Sequence, residues 1–422
     1  MTAAPPVTAP ARVHSLGCRL NIAEGARIEA LLASRGDIVV VNSCGVTANA
    51  VRSSRSAVRQ AVRDHPDARV VVTGCASQID PASFAAIAGV SHVVGNGDKF
   101  DADAYCPTAG RPAGISDIMQ VARTAPQLIP AMDGHTRLFL DVQNGCDHRC
   151  TFCIIPYGRG PSRSVPVEQV VATAKAALAQ SPRREIVLTG VDLTSYGADL
   201  AERPTLAMLC RGLLDALPDL DRLRLGSIDV AEIDGPLFDL LTREERMLPH
   251  VHLSLQAGDD LILKRMKRRH SRADAVAMAG RLKMARPDIA IGADLIAGFP
   301  TESDEAAART RALIRDCDIV FAHIFPFSPR IGTPAARMPQ LPPGTARQRA
   351  DALRHVAATH RQSWLGGLIG SRQRVLVERD GRTGHAGNFA RVALDAAEQP
   401  GTIVEARING LDGETLLGKR AA

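Results

Sequence analysis

Runs of β-branched residues alternate with amphipathic segments over the first hundred residues of the chain. The runs have the length and composition of buried strands, and the segments between them carry apolar residues at helical spacing. Because strands and helices alternate, the pattern predicts an α/β domain with a doubly wound parallel sheet. The predicted strands are 13–16, 37–42, 68–73 and 91–95, and the predicted helices are 22–34, 48–65 and 81–89.

A second alternating series begins at Arg137 and ends at residue 327. Its six strand–helix units predict a (βα)6 partial barrel, in which the chemistry lies at the carboxyl ends of the strands. The predicted strands are 137–143, 185–190, 222–227, 250–256, 290–298 and 319–327. The predicted helices are 167–180, 205–217, 234–246, 272–285 and 303–315.

The end of the chain changes character again. A Pro-rich stretch, 339–343, leads into a polar helix over 345–364, and short strands separated by Gly-containing turns follow. This pattern predicts a small all-β barrel. We therefore expect four segments: a sheet domain over 10–110, a linker over 111–131, the partial barrel over 132–362 and the β-barrel over 364–422.

Composition narrows the class of protein. The chain has 422 residues, of which 45% are hydrophobic and 23% are charged, which excludes a disordered chain or a small disulfide scaffold. No stretch predicts a membrane span, and the first residues lack the pattern of a secretion signal. We therefore expect a cytoplasmic protein with no membrane partner. The net charge of +6 indicates a polyanionic partner only weakly.

Three cysteines each follow a predicted strand of the first series. Cys18, Cys44 and Cys75, the first triad, are separated by 26 and 31 residues, each about one strand–helix unit. Since the carboxyl ends of parallel strands share one edge of a sheet, we expect the three thiols to converge there. Three soft ligands suit an iron–sulfur cluster or zinc. The alternative is three independent core cysteines, which would fall at unrelated strand positions.

Another three cysteines follow the first strand of the second series. Cys146, Cys150 and Cys153, the second triad, have the spacing C-x3-C-x2-C within GCDHRCTFCIIPYGRG. A structural zinc site usually closes with four ligands, and no second ligand pair stands nearby in the sequence. An iron–sulfur cubane held by three thiolates leaves one iron open to a small molecule. The other cysteines are expected to pack in the core: Cys106, Cys210 and Cys317.

The second triad and its position after the first barrel strand resemble the radical S-adenosylmethionine (AdoMet) superfamily. Within it the chain resembles the methylthiotransferases, and the final β-barrel resembles their TRAM domain. The resemblance covers nearly the whole chain. The motifs that carry it are SLGCRLN, NSCGVT, VTGCASQ, GCDHRCTFCIIPYGRGPSRS, LTGVDLTSYG, HLSLQAG, LIAGFPTES and FSPRIGTPAARM.

The residues after Cys18 distinguish three branches of these enzymes. GCRLN is similar to the branch that modifies threonylcarbamoyladenosine in tRNA, whereas isopentenyladenosine enzymes usually have GCQMN and ribosomal-protein aspartate enzymes GCPKN. HIFPFSPRIGTPAARM also resembles the first branch best. The chain departs from the family where Ser254 and Ala257 stand for a frequent Pro and Ser, and where Asn144 replaces a common Glu. These departures concern substrate preference rather than the chemistry.

The resemblance implies two [4Fe–4S] clusters, an auxiliary one on the first triad and an AdoMet-binding one on the second. The second cluster would bind AdoMet and cleave it reductively, a reaction that only a cofactor supplies. The resulting radical would abstract hydrogen from carbon 2 of an adenine, and the auxiliary cluster would provide the sulfur. Two AdoMet per turnover are implied, together with sulfur-donor and electron-donor proteins.

Further AdoMet contacts are implied at or near the ends of barrel strands. For each of them the alternative is ordinary turn formation or core packing. These candidates are Gly190, Ser227, Gln256 and Asp294.

Two basic surfaces are candidates for tRNA binding. One is a face of the predicted helix 48–65, where arginines recur at helical spacing. The other is the run 264–272, which holds six Lys or Arg and no acid. Basic faces bind phosphates without reading sequence, and a solvated helix face is the alternative in each case. The candidate residues are Arg52, Arg55, Arg59, Lys267, Arg268 and Arg269.

These patterns together predict a monomeric tRNA methylthiotransferase that acts on the anticodon stem-loop. Its expected reaction inserts a methylthio group at carbon 2 of N6-threonylcarbamoyladenosine 37. Two alternatives stay open at this point. The same chemistry could act on isopentenyladenosine 37 or a ribosomal-protein aspartate, or the chain could be an RNA-binding iron–sulfur sensor without turnover.

Overall fold

The computed structural model describes residues 10–106, 115–121, 127–128, 136–181 and 183–421. These residues belong to two compact units. The first unit draws on residues 1–132, 144–163 and 328–333, and the second on 133–143, 164–327 and 334–422. No helix within the described ranges is both long and apolar enough to cross a membrane. Most of the predicted linker 111–131 lies outside the described residues, and the four segment boundaries stay a prediction.

The first unit is built on a four-stranded parallel sheet whose strands follow one another in chain order. The strands are β1 (Arg12–Ser15), β2 (Ile38–Ser43), β3 (Arg69–Gly74) and β4 (Val90–Val93), and a two-residue strand, β5 (Gln127–Leu128), lies outside this sheet. The helices are α1 (Arg19–Leu31), α2 (Ala48–Asp64), α3 (Cys75–Ile79), α4 (Pro81–Ala85) and α5 (Ile155–Arg159). Short 3-10 helices span Ala102–Tyr105 and Ile118–Gln120.

Both faces of this sheet are covered by helices. Ile38 of β2 packs with Ile28 of α1, whereas its neighbour Val39 packs with Val58 of α2. Because side chains alternate along a strand, these two contacts lie on opposite faces. Burial on both faces explains why the strands read as continuous hydrophobic runs. The predicted doubly wound parallel sheet is confirmed.

The second unit contains the strands of the second series. They are β6 (Arg137–Asn144), β7 (Arg163–Ser164), β8 (Glu185–Gly190), β9 (Arg222–Leu225), β10 (Ser227–Ile228), β11 (His250–Gln256), β12 (Ala290–Ala297) and β13 (Ile319–Pro326). The helices between them are α6 (Val167–Gln180), α7 (Leu206–Ala216), α8 (Gly235–Arg243), α9 (Asp260–Met266), α10 (Arg272–Ala285) and α11 (Asp304–Asp316). Short 3-10 helices span Leu193–Ser195, Val230–Glu232 and Pro334–Arg337.

The predicted strand 222–227 is interrupted at Gly226. β9 pairs in parallel with β8, while β10 pairs in parallel with β11. The strand series therefore forms two parallel sheets, β6–β8–β9 and β10–β11–β12–β13. A single strand could not pair along its whole length with both neighbours as the sheet curves. The predicted partial barrel is confirmed with this correction.

A long helix, α12 (Thr345–Gly367), leads into a closed five-stranded barrel. Its strands are β14 (Arg372–Val377), β15 (Thr383–Ala386), β16 (Arg391–Leu394), β17 (Ile403–Asp412) and β18 (Thr415–Arg420). Leu365 joins the buried core of this barrel, and Trp364 packs against it. The predicted all-β barrel is confirmed. The sequence pattern does not predict β15, whose sequence TGHA lacks alternating apolar residues, nor β18.

A buried carboxylate links the partial barrel to the β-barrel within the second unit. Glu185 begins β8, and its side chain is fully buried. Three arginine guanidiniums surround it at 3.1, 2.8 and 3.5 Å: Arg137, Arg224 and Arg222. Arg222 also donates to the carbonyl oxygen of Arg374 in β14 at 2.6 Å. The carboxylate thus holds arginines that also bind the β-barrel backbone.

Candidate functional site

The structure brings the first triad to one edge of the four-stranded sheet. Cys18 lies between β1 and α1, Cys44 follows β2 directly, and Cys75 begins α3 immediately after β3. Cys44 and Cys75 are buried, whereas Cys18 is exposed. The parallel pairing of β1, β2 and β3 places their carboxyl ends side by side. The convergence expected from the repeated strand-end position is therefore present.

A glycine lets the loop that carries Cys18 pass close to Cys44. Gly17 has φ +92°, and a Cβ atom added there would lie 2.4 Å from Cys44 Sγ. A side chain at this position would be strained and would collide with the sulfur. Burial raises the pKa of the Cys44 thiol, and the neighbouring Cys18 and Cys75 raise it further. Three thiolates at this edge would repel one another, so the donor set fits a positively charged metal centre.

The second triad lies on a closed loop between β6 and α5. The Cys146 amide donates to the Gly160 carbonyl oxygen at 3.1 Å, and the Cys153 amide donates to the Cys150 carbonyl oxygen at 3.0 Å. All three cysteines are half-buried. Three thiols on one short loop fit a cubane cluster that keeps one iron open to a ligand.

Inside the first unit, α5, which follows the second triad, packs on α3, which begins with Cys75 of the first triad. Gly158 of α5 comes five residues after Cys153, and a Cβ atom added to it would lie 3.2 Å from Cys75 Cβ. Asn96 donates to the Gly158 carbonyl oxygen, and its Nδ2 lies 3.7 Å from Cys75 Sγ. The segment that follows the second triad therefore rests against a cysteine of the first.

A buried ion network supports this arrangement. Glu24 Oε1 accepts from Lys99 Nζ at 2.6 Å and from Arg159 Nη1 at 2.9 Å, and all three side chains are buried. Arg159 also donates to Asn21 Oδ1 at 2.7 Å, and Lys99 donates to Asn96 Oδ1 at 3.1 Å. Buried ions of this kind cost free energy unless each charge is paired and hydrogen-bonded. The network meets that condition.

The same network includes two asparagines, and each of them lies beside one cysteine of the first triad. Asn21 Oδ1 lies 3.8 Å from Cys18 Sγ, and Asn96 approaches Cys75 Sγ through its amide nitrogen. Hydrogen bonds to cluster sulfurs are one means by which a protein adjusts the reduction potential of an iron–sulfur centre. Of the two asparagines only Asn96 suits this role, because its amide nitrogen can donate to a thiolate sulfur, whereas Asn21 Oδ1 only accepts.

Glu24 makes the stability of the first unit depend on pH. Burial alone would raise the pKa of Glu24, but Arg159 and Lys99 lower it to about 2. Because the pKa is lower in the folded protein, the ionised Glu24 carboxylate stabilises the fold fully above pH 4.5. This stabilisation is lost as the pH falls from 4.5 towards 2. There the unfolded chain binds one more proton, so the free energy of unfolding should fall by about 1.4 kcal/mol per pH unit.

We expect Glu24→Gln to remove this part of the pH dependence, because the amide does not titrate. Circular dichroism of the cluster-free protein, unfolded by urea between pH 5.5 and 3, measures the slope. Glu29→Gln is the matched control, since Glu29 is an exposed residue of the same helix. An unchanged slope in Glu24→Gln would contradict this assignment.

The AdoMet candidates lie on strands of the second unit, two of them at carboxyl ends. Gly190 ends β8, Ser227 begins β10 and Gln256 ends β11. Gln256 has φ +71°. Residues other than glycine adopt this backbone conformation rarely, and such residues cluster at binding sites. The fourth candidate, Asp294, lies within β12.

Asp294 is held between two histidines. Its Oδ1 lies 3.1 Å from His252 Nε2 and 3.3 Å from His323 Nδ1. Although burial alone would raise the pKa of Asp294, hydrogen bonds to these histidines hold it well below the usual range. Asp294 therefore stays an anionic acceptor, which suits it to bind the hydroxyl or amino groups of a ligand.

The basic candidates differ in how accessible they are. Arg52 and Arg59 are exposed on α2, whereas Arg55 is partly buried and forms an ion pair with Asp80 at 3.2 Å. The arginine stripe of the predicted helix is therefore present but partly engaged within the protein.

The second basic run requires a correction. Lys267 is exposed at the end of α9, and Arg269 is paired with Glu232 at 2.5 Å. Arg268 is only 7% exposed and is bound to Asp229 Oδ2 at 2.6 Å. Burial and this ion pair make Arg268 a structural residue, so it does not belong to an exposed phosphate-binding surface.

Several site residues were missed by sequence reasoning. The ion network unites residues separated by up to 135 positions, and no local spacing connects them. Arg159 stands in the motif GCDHRCTFCIIPYGRG, of which only the cysteines have a predicted role. Two of the three predicted core cysteines, Cys210 and Cys317, are buried, and burial raises the pKa of each thiol to about 12. The third, Cys106, is only half-buried.

Comparison with known families agrees with this geometry. Residues 140–314 match the Radical SAM superfamily, and residues 11–95 match a family described as Uncharacterized protein family UPF0004. The first match contains the second triad and most of the partial barrel. The second match contains the first triad.

Characterised relatives cover most of the chain. Threonylcarbamoyladenosine tRNA methylthiotransferase MtaB of Rickettsia prowazekii is 43% identical over 95% of this chain and 95% of its own length. Its namesake from Bacillus subtilis is 36% identical over 77% of this chain and 75% of its own length. The tRNA-2-methylthio-N(6)-dimethylallyladenosine synthase of Erythrobacter litoralis is 30% identical, over 90% and 88% respectively.

Solved structures support the fold alone. The radical S-adenosylmethionine methyltransferase TsrM from Kitasatospora setae, with tryptophan and an AdoMet analogue bound, aligns with a TM-score of 0.53. The alignment covers 74% of this chain and 66% of TsrM at 17% identity.

Proposed function

The chain belongs to the threonylcarbamoyladenosine tRNA methylthiotransferases of the Radical SAM superfamily, and we propose that each of its two cysteine triads holds one [4Fe–4S] cluster. The enzyme inserts a methylthio group at carbon 2 of N6-threonylcarbamoyladenosine 37 in tRNA. The observation that carries the two-cluster proposal is the packing of Gly158 against Cys75. This contact makes the triads neighbours, as transfer of a sulfur group to a radical substrate requires.

When bound, the two clusters and two AdoMet per turnover supply the radical that removes the carbon 2 hydrogen and the methylthio group that replaces it. The protein's own part is to hold and shield these groups. Cys146, Cys150 and Cys153 would hold the AdoMet-binding cluster, and the first triad would hold the auxiliary one. Burial of Cys44 and Cys75 keeps water from that centre.

We assign AdoMet contacts to Gly190, Ser227, Gln256 and Asp294. Gly190 and Gln256 lie at the carboxyl ends of β8 and β11, where ligands of such barrels bind. Ser227 begins β10, two residues after the end of β9, and Asp294 lies within β12. The anionic Asp294 would accept hydrogen bonds from AdoMet, and Gln256 would present its side chain from a constrained backbone.

The remaining partners follow from the reaction. We infer that sulfur-donor and electron-donor proteins supply the enzyme, because each turnover consumes a sulfur atom and reducing electrons. We also propose a monomer that meets the anticodon stem-loop of tRNA in the cytoplasm, with the C-terminal β-barrel contributing to RNA binding in the manner of a TRAM domain.

The exposed arginines of α2 are expected to bind tRNA phosphates. Each lost phosphate contact lowers the slope of log affinity against log salt by about 0.7–0.9, so Arg52→Gln with Arg59→Gln should lower it by about 1.4–1.8. Affinity for tRNA measured over a salt series tests this. Arg243→Gln with Arg315→Gln is the matched control, because both residues are exposed and the charge removed is the same. An equal change in both double variants would show a net-charge effect instead.

The acceptor nucleoside is tested by mass analysis of tRNA. The chain is expressed in a bacterial strain that makes threonylcarbamoyladenosine but does not methylthiolate it. We expect the 2-methylthio derivative of threonylcarbamoyladenosine to appear and isopentenyladenosine to stay unchanged. Methylthiolation of isopentenyladenosine alone, or of a ribosomal protein, would contradict the assigned acceptor. Release of 5′-deoxyadenosine by the reduced protein excludes a sensor without turnover.

A further inference from the structure

A cavity of about 870 Å³ lies in the first unit, bordered by α2, α3, α5 and residues 329–332. Its wall includes Ala76, which follows Cys75 of the first triad, and Ile154, which follows Cys153 of the second. Its volume falls within the range of small-molecule and cofactor sites. The cavity therefore borders the segments that carry both triads.

One wall of this cavity carries the cation of Arg330, which no carboxylate among the described residues neutralises. Among the described residues, the Arg330 guanidinium has no ion pair and no hydrogen bond, and its Nε is buried. Burial lowers the pKa of Arg330, whereas the nearby Cys44 acts to raise it. An unpaired, partly buried guanidinium costs free energy, so its presence indicates an anionic ligand.

Three other charged groups of the cavity are already engaged, whereas Arg52 is exposed. Arg55 is bound to Asp80 at 3.2 Å and donates to Ser83 Oγ at 2.8 Å. Asp117 accepts from the Met119 amide at 3.0 Å and caps the short helix there. Neither carboxylate is paired with Arg330, so the guanidinium is available to a ligand.

Large apolar side chains border the same cavity and are exposed. Tyr157 is 46% exposed and Ile331 is 97% exposed, and both line the cavity. Exposed large apolar groups that cluster at a cavity indicate a binding surface. Aromatic rings such as Tyr157 stack on unpaired bases, which is how single-stranded RNA loops are commonly bound.

We propose that this cavity binds nucleoside 37, with the Arg330 guanidinium binding the threonyl carboxylate and Tyr157 stacking on the adenine. The inference rests on the proposed function, because of the two candidate nucleosides only threonylcarbamoyladenosine brings a carboxylate. The guanidinium matches a carboxylate with two parallel N–H donors, a geometry that a lysine cannot reproduce. An isopentenyl group offers no anion and would leave Arg330 unpaired.

The test measures binding of anticodon stem-loops to the full-length, cluster-loaded protein without turnover. One stem-loop carries threonylcarbamoyladenosine at position 37 and the other carries adenosine. The unaltered protein should prefer the modified loop, and Arg330→Gln should reduce that preference about tenfold to a hundredfold while leaving affinity for the adenosine loop unchanged. Tyr157→Leu should weaken both loops equally, and Tyr157→Phe should restore both. Cluster absorbance confirms that each variant is loaded.

Arg52→Gln is the matched control, because Arg52 lines the same cavity and is exposed. As a phosphate contact it should weaken both loops by the same factor. A preference retained by Arg330→Gln, an equal loss for both loops in that variant, or loss of AdoMet binding there would overturn the inference. Absence of any preference in the unaltered protein would instead count against the assigned acceptor. Failure of the proposed function can therefore be distinguished from failure of this inference.

Discussion

Replacing Cys150 by alanine is expected to abolish release of 5′-deoxyadenosine and all methylthiolation. A cubane cluster bound by three thiolates does not tolerate loss of one of them, so about half of the bound iron should remain, on the first triad. Cys44→Ala should have the complementary effect. It should keep 5′-deoxyadenosine release without tRNA modification, because the sulfur-bearing centre alone is damaged.

Iron analysis, the absorbance of the clusters and quantification of 5′-deoxyadenosine under reducing conditions measure these effects. Cys317→Ala is the matched control, since Cys317 is a buried thiol outside both triads. It should keep full iron content and activity. Loss of all iron from a folded Cys150→Ala or Cys44→Ala protein would contradict two separate sites. Folding must be checked because Gly158 joins the triads through its contact with Cys75.

Glu185→Gln is expected to lower the free energy of unfolding of the second unit by about 3–5 kcal/mol. The carboxylate is the anion around which Arg222 and Arg224 are buried, and it also pairs with the partly buried Arg137. Although burial alone would raise the pKa of Glu185, these arginines lower it, so the group is ionised in the folded protein. Its neutral analogue would leave the buried Arg222 and Arg224 without their counter-charge, while Arg137 would keep its pairing with Glu378 at 2.7 Å.

The single tryptophan of the chain reports this effect. Trp364 packs against the core of the β-barrel and stacks edge-on against Phe321 at 5.3 Å between ring centroids. Urea unfolding followed by Trp364 fluorescence therefore reads the second unit. Glu414→Gln is the matched control: its partner Arg361 lies at 3.0 Å, and the pair is partly exposed, so the change should cost no more than about 1 kcal/mol. Equal shifts in both variants would contradict the role of Glu185.

The corrections made by the structure share one physical origin. Arg268 belongs to the run 264–272, which holds six basic residues, yet its side chain is buried because it forms an ion pair with Asp229, 39 positions away. The strand predicted over 222–227 is divided at Gly226 because its two halves pair with different neighbours. In both cases the deciding partner is distant in sequence, and local composition carries no information about it.

The sequence by itself determined the α/β sheet, the partial barrel, the terminal β-barrel and the two cysteine triads. Periodicity decides these features, because burial of a strand or helix face requires apolar residues at fixed spacing. The strand-end position of Cys18, Cys44 and Cys75 likewise follows from the geometry of parallel strands. The chemistry of three thiolates is local and needs no tertiary partner to be recognised.

Only the tertiary structure decided which charges are buried, paired or available. Glu24 pairs with Arg159 across 135 residues, and Glu185 pairs with three arginines from two strands. Arg330 lies beside Cys44 with no carboxylate partner in the described part of the chain. The free energy of a charge depends on its distance from other charges and from water, and folding alone sets both distances. The sequence shows which charged residues are present, but only the folded structure shows which groups surround each of them.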